Sequence, residues 1–399
     1  MFHHRLFPAC IIYSKKTCRT FCKTLFINAA HISKQSFNVL GIETSCDDTA
    51  VGIVNSDRKI LSEAIHHQHE IHEPSGGIVP NLAMVNHQTY LPSVICEALN
   101  NAALDMAKDI DVVAVTRGPG LPGCLGIGLS AAKTLAAVLG KPLIGVHHMA
   151  SHALTARLTQ SPEILPFPFL TLLISGGHTL ILVAHGIGHY TQLGTTIDDS
   201  IGDAFDKTAR LLKLSWLKGR GGGAGAALEQ CALKGDPEKY MVPIPMRKDA
   251  RRKREMNYSF SGLKTSIKDL VEKYKLNLDD ENVKNDLAAT FQHAATIHLI
   301  DKLELAFEWC RNKGISLTAL VASGGVASNK SIRSTLKRLA NEQHNIPLIC
   351  PPPHLCTDNG IMIAWAGVER FRAGLIDEYT IDHIPKWSIA NKCKYFYKY

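Results

Sequence analysis

The segment Val146–His152 reads VHHMASH, which puts three histidines into seven residues at the end of an apolar run. On a helix, residues four apart share a face, so His148 and His152 could aim both imidazoles at one ion with the nitrogen donors that zinc and iron accept. His147 then points elsewhere. The spacing is short and common, and such a pair also occurs as satisfied helix or interface histidines. A metal reading therefore needs a third ligand and a pocket. Near the end of the chain, Cys356-Thr357-Asp358-Asn359-Gly360 precedes an amphipathic helical pattern. Helix capping alone accounts for Thr357 or Asp358, yet a carboxylate there completes a His–His–Asp set if the last helix folds back over a cleft.

Three turns have the composition to meet a phosphate or a ribose. Ser45-Cys46-Asp47-Asp48-Thr49, Ser175-Gly176-Gly177-His178-Thr179 and Ser323-Gly324-Gly325-Val326 each follow an apolar run, and glycine there lets backbone N–H groups approach a ligand closely. One such turn is usually only a turn; two SGG turns after buried strands favour a nucleotide. Asp47 is the candidate general base, with capping of a strand turn as its plain alternative. Arg247, Lys248, Arg251, Arg252, Lys253 and Arg254 fall within eight residues, and such a run either neutralises phosphates or is a solvated face.

The elements that must position these groups follow a plan that occurs twice. FNVLGIETSCDDTAVGIVNSDRKILSEAI reads as strand, polar turn, strand, turn, strand. A helix from about Asn81 to Leu104, interrupted at Pro92, follows, then a buried strand in DVVAVTRGPG, a small-residue helix in GIGLSAAKTLAAVLG and a strand in KPLIGV. From Pro166 the plan begins again with a second meander, the helix SIGDAFDKTARLLKL with Ala204, Thr208 and Leu211 on one face, and the strand, turn and helix of LTALVASGGVASNKSIRSTLKRLA. The expected class is α/β, with two lobes built on duplicated mixed sheets and a cleft between them.

Composition narrows the classes. At 399 residues, 45% hydrophobic and 20% charged, the chain has the balance of a globular protein long enough for two packed domains. No run approaches the roughly 18 apolar residues that a membrane span needs. Eleven cysteines without a CxxC pair predict free thiols in a reducing compartment. The net charge of +8 is uneven: Arg5, Lys15, Lys16, Arg19, Lys23 and Lys34 precede the first acidic residue, Glu43, and without those six the body carries only +2. A basic, acid-free leader bearing Ser and Thr is the pattern of a mitochondrial transit peptide, with a disordered basic arm as the alternative.

Nine blocks carry a family resemblance: GIETSCDDT, GGIVPNLAMVNH, GPGLPGCLGIGL, VHHMASH, ISGGHT, FDKTARLL, YSFSGLKT, SGGVASN and CTDNG occur in one order between about Asn38 and Trp387. In these the chain resembles the universal tRNA N6-adenosine threonylcarbamoyltransferases, which also carried the name O-sialoglycoprotein endopeptidase. The resemblance implies a two-lobed actin-like (ASKHA) fold of the actin, Hsp70 and sugar-kinase superfamily. It implies one divalent metal ion per subunit, iron or zinc, bound by His148, His152 and Asp358. It further implies that Leu173, Ile174, Ser175, Gly176 and Gly177 contact the nucleotide-like substrate, together with Asp206, Gly225, Glu229 and Asn329. The reaction implied is transfer of threonylcarbamoyl from threonylcarbamoyl-AMP to N6 of the adenosine 3′ to the anticodon, in tRNAs reading codons that begin with A. ATP or AMP would occupy the same cleft.

With the leader, the chain looks like the mitochondrial branch, which implies mitochondrial tRNA as substrate, the matrix as location and a homodimer. The expected division is a transit peptide at 1–36, lobes at 37–165 and 166–375, and a tail at 376–399. Two departures from the family pattern stand out. KGRGGGAGAALEQ replaces a Pro-Gly-Gly loop, so Gly222 or Gly223 could take the role of Gly225, and Asp48 stands where relatives often carry Glu. A metalloprotease is the first rival reading, but HHMASH lacks the Glu of HExxH that activates a metal-bound water. A nucleotide-binding clamp without chemistry is the second.

Overall fold

The computed structural model describes residues 36–75, 77–217 and 223–390. The leader expected at 1–36 lies outside them apart from Ser36, and Gly222 lies outside them as well.

The first sheet grows from an apolar meander. β1 (Asn38–Glu43), β2 (Thr49–Asn55) and β3 (Ile60–His66) pair antiparallel, and β4 (Val112–Gly118) and β5 (Leu143–His147) add in parallel on the other side of β1, giving the order β3-β2-β1-β4-β5. Every residue of β4 and β5 is buried, as expected of parallel strands covered on both faces.

Between β3 and β4 runs α1 (Pro80–Ala102), with proline in its first turn and left-handed Ala103 (φ 53°) at its end. The sequence pattern broke this helix at Pro92. The helix instead continues through it, because the flanking Leu91 and Val94 are buried in the first core and hold both halves in line. α2 (Pro122–Leu139) joins β4 to β5 and ends at Gly140, whose φ of 61° suits a residue without Cβ. At 18 residues α2 is long and apolar enough, by length and composition alone, to cross a membrane, so one stretch does reach that threshold. It packs on β4 and α1 as a core helix, burying Cys124, Leu125, Leu129, Ala132 and Ala136.

α3 (His148–Thr159) follows β5 without a loop. The second sheet then repeats the first. β6 (Phe169–Ile174), β7 (Thr179–Gly186) and β8 (His189–Thr195) form an antiparallel meander, and β9 (Leu320–Ser323) and β10 (Leu348–Ile349) add in parallel beyond β6. The order β10-β9-β6-β7-β8 is the first order over again, so the duplication expected from sequence is a duplication of topology. This is the two-lobed actin-like α/β arrangement.

Helices α4 (Ile201–Leu211), α5 (Ala224–Ala232), α6 (Ser261–Lys273), α7 (Glu281–Asn312) and α8 (Lys330–Arg338) enclose the larger core around Phe205, Phe260 and Phe291. In α4, Ala204 and Thr208 are buried as expected, while Leu211 is only partly covered. The seven cysteines among the described residues are free thiols.

The last helix, α9 (Gly360–Arg372), follows the strands of the second sheet but packs on β1, β2 and β4 of the first. Glycine makes this possible. A Cβ on Gly41 would lie 2.2 Å from the Ala364 nitrogen, one on Gly52 2.4 Å from the Ile361 nitrogen, and one on Gly360 2.1 Å from the Gly52 nitrogen. Helix and strand backbones therefore touch directly. The segment after α9 stays with the same sheet: the Asp377 N–H donates to the Leu143 carbonyl at 2.9 Å and the Tyr379 hydroxyl to the Lys141 carbonyl at 2.8 Å.

Gly52→Val drives side-chain atoms into the α9 backbone and is expected to cost about 1–3 kcal/mol or more, read by denaturant unfolding. Because Asp358 sits just before Gly360, divalent-metal affinity should fall with it. Gly186→Ala, where a Cβ meets nothing within 4 Å, should leave both unchanged.

Candidate metal centre and nucleotide cleft

The β5–α3 junction sorts the three histidines by role. His147 is the N-cap of α3: its Nδ1 accepts the Met149 N–H at 3.1 Å, and its Nε2 donates to the Trp387 carbonyl at 3.1 Å. Burial pushes its pKa down to about 3, which keeps it neutral, as a cap acceptor must be. It does point away from its neighbours' site. His148 and His152 lie one turn apart on α3, both buried, with ring centroids 4.9 Å apart.

The third group comes from the turn before α9. Asn359, not Thr357 or Asp358, is the cap of that helix, its Oδ1 accepting the Met362 N–H at 2.7 Å. Asp358 is thereby left free of capping. Its Oδ1 lies 3.0 Å from His152 Nε2 and 3.5 Å from His148 Nε2, and the side chain is 30% exposed. One donor atom from each of the three lies within 4.8 Å of the others.

Behind His148 stands a residue that the sequence reading passed over. Glu43 closes β1 at 1% exposure, and its Oε2 lies 3.1 Å from His148 Nδ1, with Ser45 Oγ at 3.2 Å from the same nitrogen. The Glu43 carboxylate also accepts the Ser45 N–H at 2.6 Å and the Thr116 hydroxyl. A carboxylate on Nδ1–H leaves Nε2 as the ring nitrogen that faces Asp358, the usual outer arrangement of a metal-binding histidine. The sequence does carry a signal: a carboxylate ending an otherwise apolar strand is a charge that burial leaves in need of a partner.

Burial opposes every charge in this group, and the mutual attraction of the charges outweighs it. Glu43 and Asp358 are held below the usual carboxylate range by His148, and His148 is held well above the usual imidazole range by Asp358 and Glu43. Nearby, His178 is pushed down to about 4, by burial first and the His148 charge second. Two buried imidazole nitrogens and one carboxylate converging on a partly open point form a donor set that fits a divalent ion. Among the described residues the buried Nδ1 of His152 has no hydrogen-bond partner, so the pairing with Asp358 is what orients that ring.

Asp47 lies on the turn after β1, its Oδ2 3.7 Å from His69 Nδ1. Burial, followed by the charges of Asp48 and Asp358, raises its pKa. In the second sheet, Leu173 and Ile174 are buried in β6, while Gly176 and Gly177 are exposed and a Cβ on either meets nothing within 4 Å. The Ser175 N–H donates to the His178 carbonyl at 2.8 Å and closes the turn. The second SGG turn rests against this strand: Gly324 has φ 99°, and a Cβ there would lie 2.3 Å from the Ile174 carbonyl oxygen.

Asp206 accepts the Gly225 N–H at 2.7 Å, and Glu229 accepts the Lys330 N–H at 2.8 Å. Asn329 caps α8 and donates through Nδ2 to Gln292 at 2.7 Å. Asp206, Gly225, Glu229 and Asn329 thus meet where α4, α5 and α8 begin or face one another. Gly223, with φ 115°, is the residue before α5, and Gly225, not Gly223, is the one bonded to Asp206.

The basic run is less uniform than its composition. Arg247 is held in a bidentate pair with Asp301 at 2.6 and 2.7 Å. Arg251 and Arg252 make loose contacts with Glu255 at 3.7 Å and Asp249 at 4.0 Å. Lys248, Lys253 and Arg254 are exposed, and the buried Lys302 ammonium donates to the carbonyls of Arg252 and Lys253 at 2.9 and 3.3 Å, fixing the backbone that presents them.

Two lobes of one strand order, with glycine turns at the β6 edge and a His–His–Asp group, define an actin-like α/β protein. The crystal structure of T. kodakarensis HypF shares this fold, with a TM-score of 0.54 at 14% identity over 85% of this chain and 48% of that one. The family model for tRNA N6-adenosine threonylcarbamoyltransferase matches residues 59–365. A protein of Arabidopsis thaliana named a probable mitochondrial tRNA N6-adenosine threonylcarbamoyltransferase is 43% identical over 374 residues, 89% of this chain and 75% of the relative. The tRNA N6-adenosine threonylcarbamoyltransferase of Zymomonas mobilis is 43% identical over 351 residues, 88% of this chain and 91% of the relative. The chain belongs to the tRNA N6-adenosine threonylcarbamoyltransferase family and is a transferase that modifies tRNA.

Glu43→Gln keeps the shape of the side chain and removes its charge. Divalent-metal affinity, measured by calorimetry, is expected to fall by about 10–100-fold, the range for loss of an outer partner of a ligand. Replacing His148 and His152 together by alanine should cost more, with metal content lost on elemental analysis.

Proposed function

We propose that the chain acts in the mitochondrial matrix as a homodimer. There it would transfer threonylcarbamoyl from threonylcarbamoyl-AMP to N6 of the adenosine 3′ to the anticodon, in mitochondrial tRNAs that read codons beginning with A. Residues 1–36 act as the transit peptide, 37–165 and 166–375 as the two lobes, and 376–399 as the tail. The observation that carries the reading is the convergence of His148, His152 and Asp358 beside the turn that bears Asp47. The leader and the mitochondrial name of the Arabidopsis relative support the location.

The chemistry sets two demands. N6 is a weak nucleophile because its lone pair is delocalised into the purine, so the acyl carbon must be made more electrophilic and the N6 proton must have an acceptor. His148, His152 and Asp358 would hold a divalent ion, iron or zinc, which would supply Lewis-acid chemistry for the carbonyl or the leaving phosphate. Glu43 keeps His148 in the ligating tautomer. Asp47 takes the N6 proton, and its raised pKa brings its basicity closer to the working pH. Backbone N–H groups of Gly176 and Gly177, on the turn that Ser175 closes after Leu173–Ile174, hold the nucleotide phosphate. Asp206, Gly225, Glu229 and Asn329 hold its ribose and base. ATP or AMP would occupy the same place.

Lys248, Arg251, Arg252, Lys253 and Arg254 contact tRNA phosphates, with Arg247 serving the fold through Asp301. A clamp without chemistry would keep its partner binding when His148 is replaced, whereas a transferase loses turnover.

Nucleoside analysis of mitochondrial tRNA from cells with and without the chain tests substrate and location together: N6-threonylcarbamoyladenosine should disappear with it, and unchanged levels reject the proposal. With preformed threonylcarbamoyl-AMP under single-turnover conditions, Asp47→Asn should lower the rate by about 10²- to 10⁴-fold while tRNA binding persists. Arg251→Glu with Arg252→Glu should instead weaken tRNA binding and flatten its salt dependence, leaving the rate at saturating tRNA nearly unchanged.

A further inference from the structure

Apart from the centre at His148 and His152, the described residues hold one more cluster of metal-ligating groups, Asp48, His67 and His69, whose donor atoms lie within 4.8 Å of one another. An inward anchor builds it. Gln68, just past β3, is fully buried; its Nε2 donates to the Ala83 carbonyl at 3.4 Å, and its Oε1 lies 3.3 Å from His72 Nε2. With Gln68 pinned inward, the residues on either side face outward together. The rings of His67 and His69 lie within 8° of parallel, their centroids 5.4 Å apart.

Opposite them is the turn after β1. Asp48 Oδ1 lies 2.8 Å from His67 Nδ1, and Asp47 Oδ2 lies 3.7 Å from His69 Nδ1. The Asp48 carboxylate is only 15% exposed, whereas the two imidazoles are 51% and 70% exposed. An ion can therefore reach this group from solvent and keep open positions.

We propose that Asp48, His67 and His69 form a second divalent-metal site, a rim site beside the turn after β1, for ions of the zinc class. Two imidazoles and one carboxylate suit zinc, cobalt or nickel, whereas magnesium and calcium prefer an all-oxygen shell. The group is assembled from two segments, the acidic turn and the end of β3, so an occupying ion ties them together.

Zinc titration of the full chain, already loaded with one equivalent of metal, reads the site without any transfer assay. Wild type should take up a second equivalent. His67→Ala with His69→Ala should lose it, weakening that step by more than the roughly 100-fold upper range for an outer partner. His148→Ala with His152→Ala should keep the rim equivalent, which separates the two sites. Both rim histidines are exposed, so the rim variant should retain its fold, checked by its unfolding midpoint. Cobalt should give the same stoichiometry together with visible absorption that the rim variant lacks.

A wild-type protein that takes up no second equivalent, or a rim variant that still does, overturns the site; His67 and Asp48 are then an ion pair only. Neither result bears on whether threonylcarbamoyl is transferred.

Discussion

The contact on which the centre depends is one of backbone against backbone. Gly41 and Gly52, in the middle of β1 and β2, face Gly360 and the first turns of α9 at distances that no Cβ would allow. This fixes where α9 starts, and hence where Asp358 stands relative to α3. The two histidines are set independently, by a strand that becomes a helix without a loop. A His–His–Asp group assembled from positions more than 200 residues apart in sequence, as His152 and Asp358 are, needs both ends held by rigid elements, and close packing of glycines supplies the second end. Small errors there would translate directly into ligand distances.

The charges behind the centre obey the same logic of mutual dependence. Glu43, His148 and Asp358 form a chain of alternating sign in which burial penalises each charge taken singly. Removing one member leaves the others uncompensated, which is costlier than the pair was favourable. Such a chain stabilises little on balance. What it specifies is geometry: Glu43 decides which nitrogen of His148 is free, and Ser45 and Thr116 decide where Glu43 sits. The Ser45 that tethers Glu43 begins the turn that carries Asp47, so the His148 side chain and the acidic turn are registered by shared hydrogen bonds.

Much of this was legible in the sequence because the signals were local. Strand alternation, the glycine turns and the i, i+4 histidines are properties of short segments, and the repeated order of elements predicted the repeated sheet. Signals failed where a distant partner decides the outcome. Pro92 reads as a break, yet Leu91 and Val94 are buried and the helix runs on. Thr357 and Asp358 read as caps, and only the position of Asn359 over the Met362 N–H releases Asp358. Arg247 reads as one more phosphate contact until Asp301 is seen to hold both arms of its guanidinium. Glu43 is invisible as a ligand partner without His148, which lies 105 residues away.

The two lobes share one strand order and diverge in what covers it. In the first, α9 lies so close to the strands that the sheet accepts glycine backbone instead of side chains, and the turn beyond β1 is acidic. In the second, the helices stand off on large apolar side chains such as Phe205 and Phe291, and the turn beyond β6 is glycine with open space above it. A duplicated fold thus presents unlike chemistry at equivalent turns: carboxylates at one, bare backbone N–H groups at the other. A phosphate would meet donors at the second turn and repulsion at the first. The asymmetry needs no change of topology, only of the residues at the ends of β1 and β6.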